Sequence, residues 1–335
     1  MNRKLVVVTD SVFPSLDPAR AVLSTIGADL QLAHDSTPEA ILAMGESADA
    51  ILTTYAKLAA DTIARLRRCR IISRFGVGVD NVDIATANRS GIVVTRVPDY
   101  CFDEVSDHAM ALLLALARKI PFIDGCTQGG LWEMKNVVPL HRIRGSVLGL
   151  VGFGGIPRMV APKAQAFGMR IVAYDPYLSE DAFLAAGVAR VEFDELLKTS
   201  DYISIHSPLT AATHHLFDAG AFSRMKPTAY LINTARGAIV DEAALGQALD
   251  RKQIAGAALD VMEKEPPEAS SLFGRDNMII TPHISFYSEE SLVELQTKAA
   301  EEVVRVLSGQ TPRNPVNPEV WKLAAAAGSE RMSPA

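Results

Sequence analysis

Three charged side chains in the C-terminal half of the chain follow predicted β-strands. Arg236 lies in the motif NTARG, Glu265 in EKEPP and His283 in TPHIS. Ligands of open α/β sheets bind at the carboxyl ends of the strands, so these side chains can converge. A guanidinium can hold a carboxylate, an imidazole can transfer a proton, and an acid can orient and charge that imidazole. The combination suits hydride transfer to a 2-keto acid.

A glycine turn lies upstream of these motifs. The predicted strand at 147–151 is followed by Gly152, Gly154 and Gly155 and then by a helical pattern. Such a turn lets the first N–H groups of the helix hold a pyrophosphate at the positive end of the helix dipole. Asp175, at the end of the next predicted strand, is placed to bind ribose hydroxyls and to repel a 2′-phosphate. Because no arginine follows in the run DPYL, the sequence favours NAD over NADP.

The turn departs from the G-x-G-x-x-G pattern at its third glycine, where Pro157 stands. Proline is tolerated in the first turn of a helix, because its missing N–H has no intrahelical acceptor there. The turn can survive if the amides of Gly155 and Ile156 hold the phosphate. We therefore expect cofactor affinity to be the property that Pro157 affects.

Short apolar runs alternate with helical segments along most of the chain, which is typical of βαβ units and a parallel sheet. The pattern predicts an α/β protein with two groups of strands. The predicted strands are 5–8, 50–54, 70–75 and 92–95 in the first group and 147–153, 170–175, 202–206, 229–233, 256–260 and 278–281 in the second.

Two long helical patterns mark the domain organisation. The pattern at 103–120 is apolar on nearly every side, as expected of a helix buried between domains, and the pattern at 288–309 opens with a serine and acidic residues. We predict a discontinuous substrate domain of residues 1–102 plus 290–335 and an NAD-binding domain of residues 103–289. A length of 335 residues agrees with about two domains.

The composition excludes several classes of protein. Hydrophobic residues make up 48% and charged residues 21%, which is ordinary globular usage. The net charge is −6 without a basic stripe, so we expect no nucleic-acid partner. Cys69, Cys101 and Cys126 have no CxxC spacing, which predicts neither a disulfide framework nor a metal site and favours the cytoplasm. The short apolar run near the N-terminus predicts a strand rather than a membrane segment.

The motifs together resemble the D-isomer-specific 2-hydroxyacid dehydrogenases over roughly residues 50–318. They are RFGVGVDNVD, VGFGGIP, YDP, HSPLT, NTARG, EKEPP and TPH, and the branch they resemble most contains phosphoglycerate dehydrogenase and C-terminal-binding protein. The resemblance implies two Rossmann-like domains, a doubly wound parallel-sheet NAD-binding domain and a smaller flavodoxin-like substrate domain. It also implies a cleft between them that closes over the substrate, and a homodimer formed through the nucleotide domain.

The resemblance assigns roles to the three charged residues. His283 would protonate the keto oxygen, or abstract the hydroxyl proton in reverse. Glu265 would pair with His283 and favour its protonated form. Glu263 is an alternative partner, but Glu265 directly precedes Pro266, as the family pattern has it. Arg236 would hold the substrate carboxylate and polarise the carbonyl.

Further contacts follow from the same resemblance. The amides of Val77 and Gly78 would bind the carboxylate from the first domain, with Arg74 as another contact, whereas Phe286 could touch the substrate or pack structurally. The implied cofactor residues are Gly152, Gly154, Gly155 and Ile156 at the pyrophosphate, Asp175 at the ribose, His206, Ser207, Pro208 and Thr213 near the adenine, and Thr234, Ala235 and Asp260 near the nicotinamide.

Three further histidines have no predicted catalytic role. His108 lies in the predicted interdomain helix, and His214 and His215 lie in a segment that looks exposed. An isolated histidine is commonly a hydrogen-bonded structural residue.

The leading hypothesis is a cytoplasmic NAD-dependent dehydrogenase of a small D-2-hydroxy acid. D-3-phosphoglycerate, glyoxylate, hydroxypyruvate and a sugar-derived keto acid all remain open as substrates or products. One alternative is an NAD(H)-sensing scaffold that binds partner peptides, as C-terminal-binding-protein corepressors do, and another is a relative that oxidises formate or phosphite. The intact Arg–Glu–His set argues against a purely structural role.

Overall fold

The computed structural model describes residues 3–133, 135 and 137–323, which form two compact units. Of the described residues, 3–100 and 288–323 belong to unit 1, and those within Cys101–Tyr287 belong to unit 2. Each unit has its own parallel sheet flanked by helices, so the predicted α/β class is confirmed.

Unit 1 is built on five parallel strands, β1 Leu5–Val8, β2 Asp29–Leu32, β3 Ala50–Thr53, β4 Ile71–Arg74 and β5 Val93–Thr95. Its helices are α1 Asp17–Ser24, α2 Pro38–Gly45, α3 Ala60–Arg65, α4 Ile84–Arg89 and α12 Glu289–Leu307. The strand order, β2-β1-β3-β4-β5, is that of a flavodoxin-like sheet. Val7, Ile51, Ile72 and Val94 share one face of this sheet and form its core.

Unit 2 contains seven parallel strands, β6 Val147–Val151, β7 Arg170–Tyr174, β8 Ala189–Arg190, β9 Tyr202–Ile205, β10 Tyr230–Asn233, β11 Gly256–Leu259 and β12 Met278–Ile280. Its helices are α5 Phe102–Ala117, α6 Ile120–Gln128, α7 Gly155–Ala166, α8 Glu180–Leu184, α9 Phe193–Thr199, α10 Ala219–Arg224 and α11 Glu242–Asp250, with a 3-10 turn at Gly237–Ile239.

The sheet of unit 2 is doubly wound. The strand order β12-β11-β10-β9-β6-β7-β8 reverses direction between β6 and β9, which is the Rossmann arrangement. Leu148 and Leu150 pack with α5 and α7 on one face, and Ile203 and Ile205 pack with α9, α10 and α11 on the other. Because both faces are buried, the strands read as continuous apolar runs rather than as alternating ones.

The structure differs from the sequence predictions in three elements. Strands β2 and β8 were not predicted: β2 is half-exposed and β8 has two exposed residues, so neither carries an apolar run. The helix predicted over 103–120 ends at Ala117, and α6 begins at Ile120 after Lys119 in a left-handed conformation. Pro121 explains the break, because proline has no N–H to donate to the carbonyl of Ala117, four residues earlier, and its ring would clash with that carbonyl in a continuous helix. The second long helix begins at Glu289, where Ser288 forms a capping box with Ser291.

Candidate active site

The glycine turn follows β6 directly and leads into α7. Gly152 has φ +87°, and a Cβ there would lie 2.9 Å from the backbone nitrogen of Ser207. The position therefore requires glycine both for its conformation and for the close approach of two backbones. Gly154 is the N-cap of α7, and Gly168, with φ +77°, follows its last turn as predicted.

Pro157 is accommodated in the first turn of α7, where it is buried. The N–H groups of Gly155 and Ile156 belong to the same turn, where an α-helix offers no intrahelical acceptor. A Cβ at Gly155 would overlap the ring of Phe102, so a larger residue at this position would require that ring to move.

Asp175 follows β7 and is hydrogen-bonded to the glycine turn. Its carboxylate accepts hydrogen bonds from the N–H of Phe153 at 3.0 Å and from the N–H of Tyr177 at 3.0 Å. The carboxylate is half-buried, which leaves part of it accessible beside the turn.

The HSPLT segment lies beside the turn at the end of β9. Burial lowers the pKa of His206 to about 3, so the imidazole is neutral at neutral pH, and its Nε2 lies 2.8 Å from Ser204 Oγ. Thr213 closes the segment, because its hydroxyl donates to the carbonyl of Pro208 at 2.6 Å and accepts from the N–H of Thr210 at 2.8 Å.

Two hydroxyls among the expected cofactor residues are buried without a partner. Ser207 Oγ and Thr234 Oγ1 have no hydrogen-bond partner within the described residues. A buried polar atom left unpaired costs about 1–3 kcal/mol, so such groups mark places where a ligand or water completes the site. Together with the Gly152 turn, they fit a dinucleotide.

His283 and Glu265 form a close pair. His283 Nδ1 lies 2.6 Å from Glu265 Oε2, and Glu265 Oε1 accepts from the N–H of Met262 at 2.9 Å. A carboxylate at Nδ1 fixes the tautomer and orientation of an imidazole. His283 itself has φ +51°, a left-handed conformation that a bulky residue adopts when the surroundings impose it.

Asp260 imposes that conformation on the His283 loop. Its buried carboxylate accepts from the Thr281 hydroxyl at 2.6 Å, from the N–H of Ile284 at 3.0 Å and from the N–H of Ser285 at 2.9 Å. The backbone carbonyl of Asp260 accepts from the N–H of His283 at 2.7 Å. One residue thus holds the loop on both sides of the histidine.

Arg236 lies in a turn that Asn233 organises. The Asn233 amide donates to the carbonyl of Arg236 at 2.9 Å and accepts from the N–H of Ala235 at 3.0 Å. Arg236 is half-buried, and its Nη1 donates to the carbonyl of Ala235 at 2.7 Å. These bonds fix the backbone of the turn and engage one nitrogen of the Arg236 guanidinium. Strands β10, β11 and β12 are adjacent, so their loops bring Arg236, Glu265 and His283 to one edge of the sheet.

The remaining expected substrate residues fall in both units. In unit 1, the guanidinium of Arg74 occupies the space that a Cβ at Gly76 would need, directly before Val77 and Gly78. In unit 2, the ring of Phe286 meets the ring of His283 edge to face, with centroids 6.3 Å apart.

Several residues that organise the site were not predicted. His108 Nε2 lies 3.1 Å from Thr281 Oγ1 and 3.8 Å from Asp260 Oδ1. His214 is exposed as expected, whereas His215 is half-buried: its Nε2 is inaccessible and its N–H donates to the carbonyl of Ala238 at 2.8 Å. The pairing of Phe217 with Val240 draws this segment against the fold. The apolar residue Phe217, which is fully buried, was the signal in the sequence that could have indicated this packing.

The described residues show no metal centre, because no three or more His, Cys, Asp or Glu side chains are grouped to hold an ion. In the same part of the chain, every helix is too short or too polar to cross a bilayer.

Known proteins resemble this chain in sequence and in fold. The family model for the NAD binding domain of D-isomer specific 2-hydroxyacid dehydrogenases matches residues 110–285. The chain is 37% identical to a D-3-phosphoglycerate dehydrogenase of Methanocaldococcus jannaschii, over 93% of this chain and 59% of that protein. It is 39% identical to a glyoxylate reductase of Thermococcus litoralis, over 81% of this chain and 84% of that protein.

This chain also resembles a solved structure of a related enzyme in its fold. The NADPH-dependent glyoxylate/hydroxypyruvate reductase of Sinorhizobium meliloti, in complex with NADP and malonate, superposes with a TM-score of 0.84 at 28% identity, over 95% of this chain and 98% of that one. The chain spans about three fifths or less of the phosphoglycerate dehydrogenases it matches, but most of the glyoxylate reductases. The sequence motifs, the two parallel sheets and these matches together establish that the chain belongs to the D-isomer-specific 2-hydroxyacid dehydrogenase family.

Proposed function

We propose that this chain is an NAD-dependent oxidoreductase that interconverts a small D-2-hydroxy acid and its 2-keto acid by hydride transfer. The observation that carries the proposal is the pair of His283 and Glu265, whose Nδ1 and Oε2 atoms lie 2.6 Å apart. The pair lies in the same unit as the glycine turn and Asp175. Membership of the family supports this assignment.

The charged residues of unit 2 divide the chemistry between them. When bound, the nicotinamide supplies or accepts the hydride. His283 commits its Nδ1 proton to Glu265, so Nε2 is the nitrogen that gives a proton to the keto oxygen or takes one from the hydroxyl. The Glu265 carboxylate stabilises the imidazolium, and the always-charged Arg236 binds the substrate carboxylate and polarises the carbonyl.

We also propose substrate contacts for residues of unit 1. The amides of Val77 and Gly78 donate to the substrate carboxylate. Arg74 places a positive charge directly before these amides, because its guanidinium packs against Gly76. We assign Phe286 to the apolar side of the substrate because its ring packs against His283.

We propose NAD rather than NADP as the cofactor. The Asp175 carboxylate is half-buried beside the glycine turn and is already held by two backbone N–H groups, so it is preorganised to accept ribose hydroxyls. The same negative charge repels a 2′-phosphate. The buried hydroxyls of Ser207 and Thr234 supply further donors and acceptors, and Asp260 shapes the nicotinamide side of the site by holding the His283 loop.

The names of the relatives point to two substrate pairs, those of D-3-phosphoglycerate dehydrogenase and glyoxylate reductase. We propose glyoxylate and hydroxypyruvate as the first substrates to test, because the similar proteins include a glyoxylate reductase and a glyoxylate/hydroxypyruvate reductase of the same fold.

The test is NADH oxidation with glyoxylate, hydroxypyruvate, phosphohydroxypyruvate and 2-ketogluconate, with NADPH in parallel and His283→Ala as the control. We expect turnover with at least one keto acid, a preference for NADH, and loss of turnover in the variant. Tight NADH binding without turnover would support a cofactor-sensing scaffold instead. Reduction of NAD by formate or phosphite would indicate instead that the chain is a relative that oxidises formate or phosphite.

We also propose that the chain forms a homodimer through unit 2. No residue of α6 is buried, and apolar side chains in and after this helix are exposed, Trp132 by 88% and Val138 by 66%. An apolar surface of this kind is typical of an interface. Sedimentation should give a dimer for the native chain and a monomer for Trp132→Glu.

We propose a cytoplasmic location. Cys69 is a buried thiol outside any disulfide, and burial raises its pKa to about 12. Unpaired thiols are typical of a reducing compartment. Fractionation of the source cells, with antibody detection of the native chain, tests the location.

A further inference from the structure

Two glutamates in the loop after β11 each face a histidine. Glu265 pairs with His283, as described above. Glu263 Oε1 lies 3.4 Å from His215 Nε2. The two histidines share a left-handed backbone, with φ +50° at His215 and φ +51° at His283. The pair of Glu263 and His215 has no role in the proposed reaction, although Glu263 lies only two residues from Glu265.

Glu263 also ties this loop to the start of α11. The N–H of Glu242 donates to Glu263 Oε1 at 2.9 Å, and the N–H of Glu263 donates to Glu242 Oε1 at 2.6 Å. Hydrogen bonds to a carboxylate are stronger than neutral ones, and a reciprocal pair fixes both distance and orientation. Burial raises the pKa of Glu242, and the charges of Glu263 and Glu265 raise it further.

The turn that follows Arg236 contacts the same loop through its backbone. A Cβ at Gly237 would overlap the carbonyl carbon of Met262, so the two main chains touch. The N–H of His215 donates to the carbonyl of Ala238 at 2.8 Å, which places His215 on this turn as well as beside Glu263. The turn after Arg236, the start of α11 and the loop of Glu265 therefore form one interlocked structure.

We propose that Glu263, Glu242 and His215 are positioning residues that set the place of Glu265, and through it of His283, relative to Arg236. The inference rests on the proposed dehydrogenase function. Glu265 is bonded to its own loop through the N–H of Met262, so a shift of the loop carries the carboxylate with it. A misplacement of about 1 Å can cost about a hundredfold in rate, so the interlock controls turnover without touching substrate.

The test compares Glu263→Ala with Glu263→Gln. Alanine removes the acceptor for the N–H of Glu242, whereas glutamine keeps an oxygen in its place. We expect alanine to lower kcat about tenfold or more while NADH affinity, measured by fluorescence, stays within about twofold. Glutamine should restore most of kcat. Glu268→Ala is the matched control, because Glu268 lies on the same loop, is exposed and pairs with Lys264.

Hydrogen exchange gives a readout that does not depend on turnover. Glu263→Ala should speed amide exchange in residues 237–242 and 262–265, and Glu263→Gln should not. Should the alanine variant fail to fold, His215→Asn serves instead, because asparagine tolerates a left-handed backbone. It should lower kcat a few-fold and speed the same exchange.

The inference is overturned if Glu263→Ala keeps native kcat, or if alanine and glutamine impair a folded enzyme equally. A native chain that turns over no keto acid contradicts the proposed function but not the interlock. In that case, unchanged exchange in Glu263→Ala would contradict the interlock.

Discussion

The residues expected to hold the cofactor and those expected to do the chemistry are built differently, although both lie at strand ends of one sheet. On the cofactor side, Asp175 is held by two backbone N–H groups, but Ser207 and Thr234 bury hydroxyls that have no partner within the described residues. On the chemistry side, the Glu265 carboxylate already accepts a bond from its own loop, and the loop of His283 is held by the carboxylate of Asp260. A binding region keeps polar groups for its ligand, whereas a catalytic region is organised before the ligand arrives.

Asp260→Ala is the substitution with the largest expected effect, and it tests whether the His283 loop is held before the cofactor binds. It leaves the N–H groups of Ile284 and Ser285 and the Thr281 hydroxyl without their acceptor. Because these groups lie in a buried network, we expect the free energy of unfolding to fall by about 3 kcal/mol, measured by urea denaturation without cofactor. Asp276→Ala, at an exposed aspartate of the same region, is the control. An unchanged unfolding midpoint in Asp260→Ala would show that the loop is not held in this way.

Glu265→Gln tests the charge of the catalytic pair with little change in shape. The glutamine oxygen can still accept from the N–H of Met262, but it cannot stabilise an imidazolium. We expect kcat to fall by about 10- to 100-fold, with NADH affinity within about twofold of native. Steady-state kinetics and fluorescence titration measure the two quantities. A native kcat would remove Glu265 from the proposed proton transfer.

Asp175→Asn tests selectivity on the cofactor side. Asparagine keeps an oxygen for the N–H of Phe153 and removes the negative charge. The preference for NADH over NADPH, as a ratio of kcat/KM values, should fall about tenfold, because the charge no longer repels the 2′-phosphate. A ratio equal to that of the native chain would assign the selectivity to other residues.

Ser207→Ala should have the smallest effect of these substitutions. Unlike Asp260→Ala, it should lower cofactor affinity rather than the stability of the chain without cofactor. Removing an unpartnered buried hydroxyl should leave stability without cofactor unchanged or about 1 kcal/mol higher. NADH affinity should fall about fivefold, because one hydrogen bond to the cofactor is lost. Thermal unfolding with and without NADH checks both. A loss of stability without cofactor would mean that the hydroxyl already has a partner.

The sequence predicts those parts of the molecule that depend on local pattern. The buried strands were found as apolar runs, and Gly152 and Gly168 were identified because turns and helix ends need glycine. Strand β8 was missed, because its pairing with β7 depends on neighbouring segments rather than on its own two residues.

Residues that organise the site from a distance were harder to predict. His108 is 173 positions from Thr281, whose hydroxyl it contacts, and Glu242 is 21 positions from Glu263. No local spacing rule relates such pairs, because parallel strands bring their ends together only in the folded sheet. Sequence motifs therefore indicate candidate reacting side chains more readily than the residues that hold them.

The most direct test of the proposed proton transfer is a single-turnover measurement on His283→Asn, since asparagine tolerates the left-handed backbone at this position. Enzyme-bound NADH is mixed with the best keto acid of the native chain, and its oxidation is followed by stopped-flow fluorescence. We predict native NADH affinity and a rate of oxidation about a thousandfold lower. Oxidation at the native rate would contradict the role of His283 in proton transfer.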